Sequence, residues 1–368
     1  MSPLTWAEID LSAIRNNVQH MQALTRTGVM AVVKANAYGH GAVEVSRAAV
    51  AAGAQWLGVA RAAEGMALRA AGLAAPILAL GHTLPDEAPR ALAHAISLAV
   101  YDADSARAYA AARALGAPAR LHLKVDTGMG RLGCRPAEVL DLMRFLQGLD
   151  GIVVEGLFTH FASSDLADQR PTLAQLAEFN TVLAALNAAG LRPPLIHASN
   201  SAGAIAYPAA RFDLVRMGIA LYGLNPSEAV PCPPAFRPAL AWKSRVVQVK
   251  TLPPGHGVSY GAEYVTQTTE TLAVVAVGYA DGFRRAPKNV NEVLINGTRA
   301  PVRGRVCMDQ IVVGVDPIPT VRVGDEVILV GPGLTADEVA RRWGTINYDV
   351  TTGIMARVPR VFQGAEGT

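Results

Sequence analysis

Lys34 closes an apolar, β-type run in Val-Val-Lys-Ala-Asn-Ala-Tyr-Gly-His-Gly (residues 32–41), and it is one of only five lysines in the chain. A strand interior is a poor place for an ammonium. Desolvation lowers a lysine pKa, and the neutral amine so obtained can attack a carbonyl and form a Schiff base. The glycines and Tyr38 just after it suit a turn around an anion. A lone lysine at a strand end more often snorkels into solvent, so the chemical reading gains weight only if other polar groups fall at equivalent places. They do. Lys124 and Asp126 end one β-type run, and His160, Asn200 with Ser201, and Arg216 end others. In Arg-Leu-His-Leu-Lys-Val-Asp (residues 120–126) the polar residues share one side of the pleat and the apolar ones the other. His122, deepest in that run, is readable as part of a polar site or as a satisfied core histidine.

The elements that must hold these residues follow from periodicity. Short β-branched runs near residues 28–35, 56–60, 76–81, 96–102, 120–126, 152–159, 195–199 and 212–217 alternate with alanine-rich helical stretches, for example 40–53, 61–72, 103–116, 136–147 and 171–190. Eight such units predict an α/β fold, a (β/α)8 TIM-type barrel, whose active site forms at the carboxyl ends of its strands. Asp10 predicts the N-cap of an extra helix running to about Gly28. The proline-dense segment from Asn225-Pro226 to Pro238 predicts a domain boundary, with the barrel over residues 1–228 and a second domain over 229–368. Beyond it, β-type runs at 239–252, 271–277, 292–295, 310–315 and 326–330, turns at Asn296-Gly297 and Val323-Gly324-Asp325, and one helix at 335–343 predict a C-terminal, mainly antiparallel β-domain.

Composition excludes several classes of function. A chain of 368 residues with 51% hydrophobic content can bury a substantial core. Its net charge of +3 comes from 33 basic and 30 acidic residues scattered along the sequence, so neither nucleic acid nor an anionic membrane is an expected partner. The N-terminus lacks the charged start and continuous apolar run of a signal peptide, and no apolar stretch reaches spanning length, which makes the cytoplasm the expected location. Cys134, Cys232 and Cys307 are isolated and odd in number, arguing against a disulfide framework and against a zinc site. No metal is expected.

The run around Lys34 is joined by Lys-Val-Asp-Thr-Gly-Met-Gly-Arg-Leu-Gly (124–133), Thr-His-Phe-Ala (159–162), Ala-Ser-Asn-Ser-Ala-Gly (198–203) and Val-Arg-Met-Gly-Ile-Ala-Leu-Tyr-Gly (215–223). Further on come Val-Ser-Tyr-Gly (258–261), Gly-Tyr-Ala-Asp-Gly (278–282) and Gly-Arg-Val-Cys-Met-Asp-Gln (304–310). Each motif alone is weak. In this order, across both predicted domains, they resemble the fold-type III enzymes that use pyridoxal 5'-phosphate (PLP), and the alanine racemase family in particular, over essentially the whole chain.

That resemblance implies interconversion of L- and D-alanine in a homodimer whose sites each draw on both chains. It implies that Lys34 carries PLP as a Schiff base and, once freed, serves as one of two catalytic bases. Tyr260, supplied by the partner subunit, would be the other, because racemisation removes a proton from one face of Cα and returns one on the opposite face. Taken without the family, Tyr260 reads as a packed tyrosine in a turn. A free tyrosine has a pKa of about 10, so this task needs tuning, which the resemblance assigns to His160 and Arg216. Arg216 would face the pyridine nitrogen; arginine donates there without readily protonating it, which leaves the ring a weaker electron sink. The phosphate would fall to Tyr38, Ser201, Tyr348 and the backbone N–H groups of Ser201, Gly218 and Ile219. Ser201 reads equally as a helix N-cap. Arg131 would meet the cofactor's phenolic oxygen and the substrate carboxylate, oriented by Lys124, a lysine often carbamylated in the family. Met308 would lie near the substrate carboxylate from the partner's side, Asp309 there or in a structural role, and Tyr279 and Arg285 in an entrance corridor, Arg285 reading almost as well as a surface-loop residue.

Three alternatives remain beside that reading. A broader-specificity amino-acid or serine racemase would carry the same motifs. A PLP decarboxylase of similar design would need a late Cys-Asp-Gly-type motif, which the sequence lacks. A non-catalytic PLP-binding protein resembles the barrel alone. The role of D-alanine, in wall synthesis as a peptidoglycan precursor or in catabolism, is open at this stage.

Overall fold

The computed structural model describes residues 3–112, 117–285 and 290–364. The chain opens with a strand, β1 (Thr5–Asp10), followed by a helix at Leu11–Thr25 whose start is marked by the Asp10 carboxylate accepting from the Ser12 N–H at 2.8 Å. Eight strands come next: β2 (Gly28–Val32), β3 (Trp56–Val59), β4 (Ile77–Ala79), β5 (Ile96–Val100), β6 (Ala119–Lys124), β7 (Ile152–Phe158), β8 (Leu195–His197) and β9 (Leu214–Met217). All neighbours pair in parallel in the order β8-β7-β6-β5-β4-β3-β2-β9. The remaining seam between β8 and β9 is bridged by the Asp213 N–H to the Ile196 carbonyl (3.1 Å) and the Arg216 N–H to the Ser199 carbonyl (2.9 Å), so the barrel nearly closes. Runs such as Val29-Met30-Ala31 and Ile77-Leu78-Ala79 are apolar at every position and wholly buried because helices cover the outer face of a parallel sheet.

The sequence places each of the eight strands but overruns several ends. The most consequential is the first, expected to reach residue 35. Its last ladder bond is from the Val33 N–H to the Gly58 carbonyl, after which Ala35, Asn36, Ala37 and Tyr38 all take φ between 51° and 54°. Lys34 therefore opens a left-handed turn rather than ending a strand. The helix expected over 103–116 spans Ala103–Ala111, and its closing Gly116 lies outside the described residues.

By packing, the chain divides into two units. One comprises residues 13–37 and 42–237, the other residues 3–12, 38–41 and 238–364. The break falls nine residues past the one expected from the proline run (237 against 228). The proline-rich segment is pinned to the first helix: Asn17 Nδ2 donates to the carbonyls of Leu221 (3.0 Å) and Arg237 (2.9 Å), and Asn16 Nδ2 to that of Ala235 (2.8 Å).

The second unit is a mainly antiparallel sheet built on the long strand β10 (Leu240–Leu252). Around it lie β11 (Gly257–Val258), β12 (Tyr264–Val265), β13 (Glu270–Val275), β14 (Glu292–Ile295), β15 (Thr298–Pro301), β16 (Ile311–Gly314), β17 (Glu326–Val330) and β18 (Arg360–Gln363). One path runs β15-β14-β17-β10-β1-β18, and β13 pairs β10 and β16. β1 thus belongs here, antiparallel to β10 and parallel to β18. The helix expected near 335 is Ala336–Trp343, capped by Thr335, whose hydroxyl accepts from the Glu338 N–H. No described helix is long and apolar enough to cross a membrane.

Candidate active site

Within the barrel unit, Lys34, Lys124, Arg131, His160, Ser201, Arg216, Gly218 and Ile219 all follow or end strands of the sheet. The left-handed turn after Lys34 is held by Glu64, whose carboxylate accepts from the N–H groups of Ala35 (2.7 Å), Ala60 (2.8 Å) and Arg61 (3.0 Å). Burial pushes the Lys34 amine below the ordinary lysine range. Arg131 adds to the shift, Glu64 opposes it, and Arg216 contributes a further lowering.

Lys124 is buried in the barrel with Nζ 5.5 Å from the Phe158 ring centre. Burial first, then Arg131 and Arg216, bring its pKa down to about 8. Asp126 is folded into its own loop, accepting from the N–H groups of Gly128 (3.0 Å), Met129 (2.8 Å) and Gly130 (3.1 Å), and so shapes the turn that presents Arg131. Gln175 fixes the His160 segment by donating to the His160 carbonyl (3.2 Å) and accepting from the Ala162 N–H (2.9 Å). Burial, and then the Arg216 charge, drive the His160 imidazole well below its usual pKa, so it is neutral.

Arg216 is almost fully buried, and burial lowers its pKa to about 9, still leaving it charged at neutral pH. Its Nη1 donates to His197 Nδ1 (3.0 Å) and to the His197 carbonyl (3.1 Å). Its Nη2 donates to the carbonyls of Thr159 (2.7 Å) and Ala198 (2.8 Å) and lies 3.1 Å from His160 Nδ1. An arginine cannot accept. His160 Nδ1, at the longest of the three Nη2 contacts, is therefore an acceptor that shares an Nη2 hydrogen with a carbonyl, and Nε2 carries the proton.

Ser201 opens the short helix Ser201–Ala206, but the cap is Asn200, whose side chain accepts from the Gly203 N–H at 2.9 Å. The Ser201 hydroxyl oxygen instead accepts from the N–H groups of Gly218 (2.9 Å) and Ala220 (3.2 Å). The Gly218 N–H, expected to face an anion, is spent on that serine. With its oxygen so engaged, the hydroxyl proton is available to donate outward.

The other candidates lie in the second unit. Tyr38 and Tyr348 pack with ring centres 6.0 Å apart, and burial holds the Tyr38 phenol up at about 12, a neutral donor. Tyr260 follows Ser259, a non-glycine residue at φ 61°, and is 67% exposed. It lines an open hollow with Met308, which is 52% exposed, and with Cys307. The Ser259 hydroxyl donates to the Arg305 carbonyl at 2.7 Å and fixes the turn. Gly278 allows this hollow to form: a Cβ there would stand 2.1 Å from the Met308 carbonyl oxygen. Asp309 pairs with Arg357 Nη2 at 2.6 Å, and Arg357 Nε also holds Asp281. Tyr279 and Arg285 line a separate cavity floored by Phe283 and Trp343.

Sequence reasoning passed over three residues. Glu64 sits in an alanine-rich helix where a carboxylate reads as solvent-facing. His197 closes a three-residue strand, and Glu155 lies in a β-branched run, where its inward orientation depends on a local irregularity in pairing.

The barrel end carries four cations, Lys34, Lys124, Arg131 and Arg216, each within electrostatic reach of others of the set. Its nearest carboxylates, Glu64 and Asp126, are committed to backbone N–H groups. A polyanionic small molecule fits such a place.

Comparison with known proteins bears on which one. Residues 9–226 match the family described as alanine racemase, N-terminal domain, and residues 239–362 the one described as alanine racemase, C-terminal domain. The chain is 48% identical to an alanine racemase of Symbiobacterium thermophilum over 98% of this chain and 97% of that one. It is 46% identical to one of Desulfovibrio desulfuricans over 97% of each. Among solved structures, alanine racemase from D-cycloserine producing Streptomyces lavendulae superposes with a TM-score of 0.94 at 40% identity, covering 100% of this chain and 99% of that one. Alanine racemase from Bacillus anthracis with bound L-Ala-P gives 0.92 at 37% identity, covering 99% and 96%.

Proposed function

Because the chain belongs to the alanine racemase family and is an isomerase of alanine, we propose that it works with PLP by a two-base mechanism in a homodimer with shared sites. The observation that carries this is the desolvated Lys34 amine with three further cationic side chains, Lys124, Arg131 and Arg216, within electrostatic reach, which calls for an anionic carbonyl compound. When bound, the cofactor supplies a ring that draws electrons from the Cα–H bond of the amino acid attached to it.

The chain's own residues do the rest. Lys34 binds the cofactor and, once displaced by substrate, its amine moves a proton at Cα on one face. The neutral state favoured by burial is the one that can accept that proton. The partner subunit's Tyr260 serves the opposite face, which its exposure and its turn on the second unit favour. His160, with its proton on Nε2, donates to that phenolate and stabilises it. Arg216 uses Nη1 and Nη2 on the protein, and among the described residues Nε meets no protein acceptor, so Nε is its donor toward the pyridine nitrogen. The Ser201 hydroxyl, Tyr38 and Tyr348 hold the phosphate, with the Ile219 N–H. Arg131 holds the substrate carboxylate, with Met308 from the partner's side. The barrel domain binds the cofactor, the second domain completes the partner's site, and the enzyme acts in the cytoplasm.

The test is optical and chemical. Purified protein should absorb near 420 nm, a rough expectation for a protonated PLP–lysine link, and borohydride should leave the cofactor irreversibly attached to the peptide containing Lys34. Lys34→Ala should lose racemisation in both directions, followed by circular dichroism of L- and D-alanine. Protein that binds no PLP, or a Lys34→Ala variant that turns over without added amine, would sink the reading.

A further inference from the structure

We propose that His197 and His122 form a one-way hydrogen-bond relay through the barrel interior, biased at its far end by the Glu155 carboxylate, that positions Arg216. The relay holds Nε of Arg216 toward the cofactor ring. It rests on the reading that Arg216 faces that ring.

The direction of the relay follows from donor chemistry. Arg216 Nη1 lies 3.0 Å from His197 Nδ1, and since the guanidinium only donates, Nδ1 must accept and the His197 proton sits on Nε2. That Nε2 lies 3.0 Å from His122 Nδ1, which must then accept in turn. The His122 proton is left on Nε2, facing Glu155 Oε2 at 3.8 Å. This last contact is too long for a hydrogen bond, and it acts as an electrostatic preference for a proton on that side. Both imidazoles are wholly buried, and burial depresses their pKa, His197 strongly, so each is neutral and has one proton to place.

Glu155 is suited to end such a chain. Burial raises its carboxyl pKa, but its contacts with His122, Ser97 and Arg120 outweigh this and bring it down to about 2, leaving a permanent anion. Ser97 Oγ donates to Oε2 at 2.7 Å and Arg120 Nη1 to Oε1 at 2.6 Å.

Local backbone structure builds the relay. Leu121 pairs with Val154 but His122 pairs with Gly156, so Glu155 is the extra residue of a β-bulge, the device that re-aims a side chain within a sheet. Gly156 makes room for the ring: a Cβ there would stand 2.3 Å from His122 Nδ1. The rings are clamped by aromatic neighbours, His197 stacked on Phe158 at 4.8 Å and 5°, and His122 edge-on to Trp56 at 5.1 Å. A barrel interior is ordinarily filled by Val, Ile and Leu. Two imidazoles and a bulge are a costly filling unless their polarity is used.

The experiment uses the cofactor-loaded enzyme labelled with 15N-histidine. Imidazole 15N shifts should report Nε2–H neutral rings for both His122 and His197 from about pH 6 to 9, across the range where a free histidine titrates near 6.5. A proton on Nδ1 of either ring, or an imidazolium in that range, would overturn the relay. The second arm compares His122→Gln, whose side-chain oxygen can still accept from His197, with His122→Phe, which fills the space and accepts nothing. His122→Phe should lower kcat roughly tenfold with KM for alanine within about twofold, and His122→Gln should keep most of kcat. Equal losses in the two variants would assign His122 to packing alone, and an unchanged kcat in His122→Phe would remove its positioning role. The wild-type shifts stand even if His122→Phe does not fold. Failure of the cofactor reading would show separately, as absence of the lysine-bound cofactor.

Discussion

At the scale of single residues, Lys124 is the group whose state decides most. As an ordinary ammonium it would repel Arg131, the residue it is proposed to orient. With its pKa at about 8, roughly half is neutral amine at that pH, and a neutral amine can attack carbon dioxide. The N–C bond forms, a proton leaves to solvent, and the side chain passes from cation to anion, exchanging repulsion of Arg131 for attraction. Enzyme equilibrated with 13C-bicarbonate should therefore show a carbamate resonance that is absent from Lys124→Met. A spectrum identical in the two proteins would refute the modification. The free amine also has a signature in stability. Its folded pKa lies below its unfolded value of about 10.4, so the unfolded chain binds more protons between about pH 8 and 10.4, and stability must rise with pH across that window. Urea titrations of carbonate-free protein should show that rise in wild type relative to Lys124→Met, at about 1.4 kcal/mol per pKa unit. Lys34, Lys124, His160 and Arg216 stood out in the sequence because each ends or follows an apolar barrel strand, where a polar residue has no solvated face to occupy. His197 and Glu155 were not, since their inward placement depends on a strand of three residues and on a bulge that no periodicity records.

At the scale of elements, the turn after Lys34 departs most from what sequence patterns suggest. Four consecutive non-glycine residues in the left-handed region each cost energy that surrounding contacts must offset. Of these four residues only Asn36 is of a type enriched in that conformation, and one such residue among alanines and a tyrosine does not mark a four-residue left-handed run, so the strand read as continuing to residue 35. The Glu64 carboxylate is the visible compensation, with one oxygen on the Ala35 N–H and the other shared by Ala60 and Arg61. Glu64→Ala should cost about 1–3 kcal/mol by leaving these donors without their charged acceptor, and should lower racemisation because the turn aims Lys34. Glu64→Gln, with one carbonyl oxygen, should lose less of both. Denaturant unfolding and alanine turnover would check the order. A Glu64→Ala variant as stable and active as wild type would show that the turn holds itself. The eight strands, by contrast, were readable from their apolar runs, and Glu292–Ile295 and Glu326–Val330 begin and end where the sequence places them.

At the scale of the whole molecule, the order of barrel then β-domain was readable, but the place of the first strand was not. β1 lies between β10 and β18 although more than 200 residues separate it from either, and a single amphipathic strand carries no sign of a partner so distant. The chain's two units each carry part of the proposed machinery: Lys34 belongs to the barrel unit and Tyr260 to the other. The proposal that a site takes Lys34 from one subunit and Tyr260 from its partner has a consequence that no arrangement within one chain shares. Lys34→Ala and Tyr260→Phe homodimers should each be nearly inactive. In a mixed dimer, one site combines the intact Lys34 of the tyrosine variant with the intact Tyr260 of the lysine variant, while the other site carries both lesions. Random exchange from an equal mixture makes about half the dimers mixed, with half of their sites intact, so roughly a quarter of wild-type activity should return by the two-fold symmetry of the assembly. The variants would be unfolded and refolded together, the presence of mixed dimers verified by co-purification of the untagged variant with a tag on the other, and alanine racemisation of the unfractionated mixture measured. If each site drew both bases from one chain, every site in the mixture would retain a lesion. A mixture that holds mixed dimers yet has no more activity than its parents would therefore place Tyr260 within its own chain's site or outside the chemistry altogether.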